Sequence, residues 1–284
     1  TGGVWGRSPC RTSWPGWWCS SSGTGPGRSS AVSGITNSQK VSAIVMTEWF
    51  EEWFGEEYLA LYPHRDDEEA EAVLGLIDRT VGIEPDHRVL DLACGAGRHA
   101  RAFQAFGARP VGLDLSRHLL DRAALVAPGV PLIRADIRAI PVRPRSMDLT
   151  VNLFTSFGYF GSDADHLRAL SQMLDTVKLT GWFVLDFLNA TMVRASVGDV
   201  GLRETRDALA IDKWLQDSDR YVVKSITTED GRQFLERVRL YGREELIRMV
   251  AAAGGRVVRQ FGDYDGGGPA DEAPRVILFA QVAR

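Results

Sequence analysis

Residues 90–100 read LDLACGAGRHA. An apolar strand runs into a glycine-rich turn, and a helix follows. Gly95, Gly97 and Ala100 satisfy the loose G-x-G-x-x-G/A spacing, in which glycines admit a ligand close to the backbone and a helix N-terminus offers unpaired N–H groups. The pyrophosphate of a dinucleotide suits that geometry, and so does another nucleotide. The turn alone leaves both open.

On either side of the turn, strands and helices alternate. RVLDLA is a short apolar strand, and the helix after Gly97 carries Ala100, Phe103 and Phe106. RPVGLDL is the next strand, followed by the helix SRHLLDRAALVA, which Ser116 caps. VPLIRAD and SMDLTVNLF are further strands, a helix covers roughly 163–176, and GWFVLDFLN is a fifth strand. This succession predicts an α/β fold with a parallel, doubly wound sheet and right-handed crossovers. Ligands of such sheets bind beyond the carboxyl ends of the strands. Those ends carry Asp91, Ala93 and the glycine turn, then Asp114, Asp136, Asn152 with LFTSFGYF, and finally Asp186 and Asn189. Buried carboxylates are costly without a hydrogen-bonding or cationic partner, and a ligand can be that partner.

Upstream, TEWFEEWFGEEYLALY predicts a helix from about Thr47 to Tyr62, with Phe50, Phe54, Tyr58 and Tyr62 on one face. The Phe positions suit a core, and the two Tyr suit a lid over a ligand. PHRDDEEAEAVLGLIDRTV continues as a polar turn and a second helix, burying Ala72, Val73, Leu76 and Ile77. Near the other end, RYVVKSITTEDGRQFLERVRLY predicts a hairpin turning at Asp230 and Gly231. It falls in a stretch of about 190–240 expected to form a lid. GREELIRMVAAAGG predicts a helix, and RVVRQFGDY and PRVILFAQVA the last two strands. The loop joining those strands, 262–275, is glycine-rich and acidic.

Residues 1–45 differ from the rest. They hold four of the eight Trp and two of the three Cys, with no acidic residue before Glu48 and no helical or strand period. They are expected to be a disordered or spurious extension, with the natural start at Met46 and one domain over 46–284. That body carries 29 basic and 37 acidic side chains, a balance that argues against nonspecific nucleic-acid binding. Cys94 is its only cysteine, so neither a disulfide framework nor a CxxC metal site is available to it. No apolar run reaches the length of a membrane span. A water-soluble, cytoplasmic protein with a small-molecule partner is expected, and the five His include no i, i+4 pair of the helical metal-site kind.

VLDLACGAGRHA, GLDLS about twenty residues on, ADIRAIPV and MDLTVNLFTSFGYF together resemble the ordered motif series of class I S-adenosylmethionine-dependent methyltransferases, over essentially the whole body from about residue 47. The resemblance implies a Rossmann-like sheet of seven strands, mostly parallel with an antiparallel last strand, and S-adenosyl-L-methionine as cofactor. NLFTSFGYF is similar to the segment after the fourth strand in small-molecule N-methyltransferases, including those acting on amino sugars.

The residues carry this reading further. An acid just inside the strand end opposes a pyrophosphate at the helix N-terminus, whereas Asp91 favours a sulfonium ligand with an α-amino group. Ala93, Gly95 and Gly97 form the turn, and Asp114 suits both ribose hydroxyls. Asp136 resembles the position that accepts from the adenine amine, with the ring between Leu115 and Ile137. Asn152 and Leu153 complete the expected cofactor contacts. Tyr62 and Arg65 resemble residues that close over the cofactor, the arginine pairing with its carboxylate. Arg98 and His99 are expected on a solvated helix face.

Methyl transfer to nitrogen or oxygen is an in-line displacement, so positioning and desolvation carry most of the acceleration and no metal is required. A neutral amine attacks unaided, whereas a hydroxyl needs a base, for which His64 and Tyr159 are the candidates. Thr155, Ser156, Tyr159, Asp186 and Asn189 are the expected substrate residues, joined by the lid and the 262–275 loop. Two rival readings stand beside this one. A nicotinamide-dependent oxidoreductase shares the glycine turn and Asp114 but leaves Asp91 and Asp136 unexplained. A noncatalytic S-adenosylmethionine-binding protein would bind the cofactor without turnover.

Overall fold

The computed structural model describes residues 67–206 and 209–283 together with Phe50, Phe54, Gly55 and Tyr58. In chain order the elements are α1 (Asp67–Val81), β1 (Arg88–Leu92), α2 (Arg98–Ala105), β2 (Arg109–Asp114), α3 (Arg117–Val126), β3 (Leu132–Arg134), β4 (Met147–Asn152), α4 (Asp163–Thr176) and β5 (Val177–Leu188). Then come α5 (Ala190–Val197), β6 (Leu202–Arg206), β7 (Leu209–Gln216), β8 (Tyr221–Thr227), β9 (Gln233–Arg239), α6 (Arg243–Ala252), β10 (Gly255–Phe261) and β11 (Arg275–Val282).

Seven strands form one sheet in the order β10-β11-β5-β4-β1-β2-β3. The first five strands pair parallel, and β11 runs antiparallel to both β5 and β10. This is the Rossmann-like arrangement expected from the motif series. Because both faces are covered, the central strands are continuous apolar runs, and four of the five residues of β1 are buried. On one face Val73, Leu74 and Ile77 of α1 and Phe103 of α2 pack with Val89 and Val151. On the other, Leu170 and Met173 of α4 and Leu246 and Val250 of α6 pack with Leu90 and Leu185. Ala72, expected in the core, is exposed, and Leu74 takes that role.

A separate antiparallel sheet, β6-β7-β8-β9, occupies the expected lid region. The anticipated hairpin is β8–β9, in register from Tyr221↔Arg239 to Thr227↔Gln233. Two further strands, β6 and β7, escape a reading by alternation because the inward face carries charge. Lys213, Lys224 and Glu236 are cross-strand neighbours, all buried. Lys213 pairs with Glu204 at 3.1 Å and Lys224 with Glu236 at 3.4 Å. The apolar remainder of that face joins the main domain. Val222 and Val238 enter the core with Phe157 and Phe187, and Ile226 packs with Tyr58 and Leu119.

The turn after β1 is fixed by close packing. Gly97 has φ +84°, and a Cβ there would lie 2.9 Å from the Cβ of Ala123 on α3. A Cβ on Gly112 would lie 2.9 Å from the Sγ of Cys94, so that cysteine is a small packing residue. Gly95 also has positive φ, but no atom stands within 4 Å of a Cβ built on it. We predict that Gly97→Ala destabilises the protein by roughly 2–4 kcal/mol through left-handed strain plus overpacking. Gly95→Ala should cost only about 1 kcal/mol, from strain alone. Urea unfolding of the two variants measures the difference, and equal midpoints would refute the packing argument.

Candidate active site

A cavity of about 480 Å³ opens at the carboxyl ends of β1, β2, β3 and β4. Its wall includes six of the residues expected to meet a cofactor: Ala93, Gly95, Asp114, Leu115, Asp136 and Ile137. Ser156 and Tyr159 of the expected substrate set also face it. Tyr62, His64 and Arg65 lie outside the described residues, as does most of the helix expected over Thr47 to Tyr62.

Asp114 ties two strand ends together. One carboxylate oxygen accepts the Gly95 N–H at 2.8 Å, and the other accepts the Ser116 N–H at 2.8 Å. Burial raises its pKa, against the pull of these N–H groups. Ser116 caps α3 by accepting the Leu119 N–H, and its hydroxyl donates to the Phe54 carbonyl. Phe54 is thereby pinned at the cavity wall.

Asp91 is 1 % exposed and does not line the cavity wall. Its Oδ2 has no hydrogen-bond partner among the described residues. Burial, then the neighbouring Asp114 charge, push its pKa up to about 7, against Arg98 and the Ala100 N–H. Arg98 and His99 are not on a solvated face. His99 is buried, and the Arg98 side chain is 12 % exposed, 3.4 Å from Glu69 and 4.2 Å above the Phe154 ring. The helix-face expectation failed because the first turn of α2 packs against Glu69 of α1 and the Phe154 ring, which cover it.

Asp136 is held by its neighbour. Arg138 donates Nε and Nη2 to the carboxylate, and the Arg138 N–H adds a bond of 2.7 Å. Although burial pushes its pKa up, these contacts hold it below the ordinary value. An adenine amine would share an acceptor already bound to a guanidinium.

Several expected ligand contacts are instead internal. Asp186 is fully buried and accepts from Arg275 Nε at 2.7 Å, Tyr264 Oη at 2.8 Å and the Phe154 N–H at 2.9 Å. Thr155 Oγ1 accepts from Arg275 Nη2, and the Thr155 N–H donates to the Asp186 carbonyl. Neither residue lines the cavity. Together they clamp Phe154 and Thr155, both at φ +61°, a backbone region costly for residues with a Cβ. That clamp turns Phe154 and Ser156 toward the cavity. Asn189 caps α5 and donates to the carbonyls of Ala270, Asp271 and Ala273. The 262–275 loop is thus stapled to β5 and contributes no lining residue. Asn152 donates Nδ2 to the Leu92 carbonyl, leaving its buried Oδ1 without a partner among the described residues, and Leu153 belongs to the core.

Sequence reasoning missed part of the wall. Phe50 and Phe54, expected in the core, line the cavity together with Phe154, Phe160 and His118 on α3, and Tyr58, expected over a ligand, lines it too. The four-residue spacing put Phe50, Phe54 and Tyr58 on one face but did not show that the two Phe also turn to a cavity. Behind the wall, His166 Nε2 accepts the Phe160 N–H, and Nδ1 meets Tyr241 Oη at 2.9 Å. Tyr241 in turn donates to Asp163 at 2.7 Å. Burial lowers the His166 pKa to about 4, so the ring is neutral with its proton on Nδ1.

The fold, with its cavity at the strand ends, is that of class I S-adenosylmethionine-dependent methyltransferases. Residues 89–181 match the family described as Methyltransferase domain. The chain is 31 % identical over 110 residues to a demethylmenaquinone methyltransferase of Renibacterium salmoninarum, a match covering 39 % of this chain and 45 % of that protein. It therefore spans less than half the length of that curated relative. Among solved structures, it superposes on the CcbJ methyltransferase of Streptomyces caelestis with TM-score 0.70 and 18 % identity, over 81 % of this chain and 98 % of that one. It also superposes on CalS10 of Micromonospora echinaspora, an amino pentose methyltransferase solved with S-adenosylmethionine, with TM-score 0.58 and 23 % identity, over 80 % and 97 %. At these identities the likeness to solved structures is one of fold. Among the described residues, no helix is long and apolar enough to cross a membrane, and no group of three His, Cys, Asp or Glu could hold a metal ion.

Asp91 generates a stability prediction. Its pKa is raised from 3.8 to about 7, so the fold favours the neutral carboxyl. That contribution is fully present below the unfolded value and is lost as pH rises through about 7. Asp91→Asn should therefore gain stability relative to the wild type by roughly 2 kcal/mol between pH 5.5 and 8.5. Urea midpoints at the two pH values test this, and a constant difference would contradict it.

Proposed function

We propose that this chain transfers a methyl group from S-adenosylmethionine to a small-molecule acceptor, at nitrogen or oxygen, by in-line displacement. The observation that carries the reading is Asp91: a buried carboxylate behind the glycine turn, one oxygen without a partner among the described residues, beside a second buried carboxylate. Such a pair of acids selects a cation with hydrogen-bond donors and disfavours a pyrophosphate. The α-amino group of S-adenosylmethionine fits it. When bound, that cofactor supplies a methyl group on a positively charged sulfur.

The chain's own residues divide the remaining work. The turn at Ala93, Gly95 and Gly97 admits the ligand close to the backbone, and Asp114 retains lone pairs for the ribose hydroxyls. Leu115 and Ile137 flank the adenine. Ser156 and Tyr159 face the acceptor, while Phe50, Phe54 and Tyr58 exclude water from it. The CalS10 and demethylmenaquinone methyltransferase names support a small acceptor. Asp186, Asn189 and Thr155 act behind the wall.

Calorimetric titration with S-adenosylmethionine, S-adenosylhomocysteine and NAD tests the reading. Both adenosyl ligands should bind and NAD should not, and Asp114→Ala should weaken binding at least about tenfold through lost charge-assisted hydrogen bonds. Because the amino group requires an ionised Asp91, affinity should rise with pH, by up to about tenfold per unit below pH 7, and level off above it. Asp91→Asn should remove that slope. Binding of NAD alone would overturn the assignment.

A further inference from the structure

The cavity has a second chemical character besides its acids. Phe54 and Tyr58 meet edge to face, with centroids 4.8 Å apart and planes at 80°. Phe54 and Tyr159 lie 5.8 Å apart with planes at 42°. Phe54 is thus inclined to both Tyr58 and Tyr159, and all three rings line the same cavity. Their positions are fixed from behind. The Phe54 carbonyl is tied to the Ser116 hydroxyl, Tyr58 packs on Ile226 of the lid sheet, and the loop before α4 is held by the His166 bond to the Phe160 N–H.

The carboxylates lining the same cavity are engaged. Asp114 faces two backbone N–H groups and Asp136 faces Arg138. Ser156 also spends its hydroxyl inward, donating to the Leu153 carbonyl at 2.8 Å. A cation entering beside the rings would be met by quadrupoles, which prefer weakly hydrated, alkylated ammonium groups.

Building on the methyltransferase reading, we propose that Phe54, Tyr58 and Tyr159 form an amine-recognition corner for an alkylated amine acceptor, and retain its methylated, cationic product. In the balanced step, the amine lone pair forms the new C–N bond as the C–S bond breaks. The sulfur leaves neutral with the bonding pair, and the positive charge passes to nitrogen. Loss of an N–H proton from that product to solvent restores the lone pair, so a nitrogen held here can be methylated again, and each added methyl lowers the hydration of the ammonium.

The full chain, saturated with S-adenosylhomocysteine, is titrated with choline and with its neutral isostere 3,3-dimethylbutan-1-ol. With a neutral thioether in the cofactor site, the corner lacks a cation. Choline should bind roughly tenfold tighter than the alcohol. Tyr58→Leu and Tyr159→Leu should each collapse that ratio toward one, while Tyr159→Phe should preserve it. The ratio divides out a general loss of cavity shape, and for a variant that binds neither compound the wild-type ratio decides. Equal affinity for choline and the alcohol, or a ratio unchanged in both Leu variants, would overturn the amine proposal. Failure of S-adenosylhomocysteine to bind would instead overturn the cofactor reading beneath it.

Discussion

Two carboxylates on adjacent parallel strands, Asp91 and Asp114, are both buried, and each makes the other's ionisation harder. The architecture around them answers that cost. The turn after β1 bends through three left-handed residues, Ala93, Gly95 and Gly97, and so delivers the Gly95 N–H to Asp114. The first turn of α2 places Arg98 within reach of the Asp91 charge. The compensation is incomplete at Asp91, whose second oxygen stays without a donor among the described residues. A site that stores this cost binds a complementary cation more strongly for it.

Asp186 shows the opposite solution. It is as deeply buried, yet a guanidinium, a phenol and a backbone N–H surround it. Such a pair is weak evidence for net stability, because desolvation offsets much of its attraction. Its geometric effect is clearer: it holds two consecutive left-handed residues that carry the cavity wall. The strain at Phe154 and Thr155 thus persists because a charge pair from β5 and β11 over-determines it.

That contrast explains how much the chain announces of itself. The parallel sheet was legible because each strand is a short apolar run and each crossover helix has a local start signal, such as the Ser116 cap. The acids at the strand ends were equally visible. Whether an acid was engaged was not, because Arg275 lies 89 residues from Asp186 and nothing local announces the pairing. Asn189 misled for the same reason, its three carbonyl partners lying more than eighty residues away. In the second sheet, β8 and β9 were readable from their Asp-Gly turn, whereas inward-facing Lys213 made β7 look solvated. Charge on a buried face defeats any reading by alternation.

The division of the cavity between acids and rings has a chemical logic. An amine is a nucleophile only while neutral, and an uncompensated carboxylate beside it would hold it protonated. Aromatic faces attract a cation without accepting its proton, and their apolar surface disfavours the charged form of a hydrated ammonium. In the proposed complex the acids at the β1 and β2 strand ends meet the charged end of the cofactor, and the rings meet a group that is neutral before the reaction and charged after it. A carboxylate introduced among Phe54, Tyr58 and Tyr159 would strengthen ground-state binding of an ammonium and weaken attack in the same stroke, since only interactions gained in the transition state accelerate a reaction.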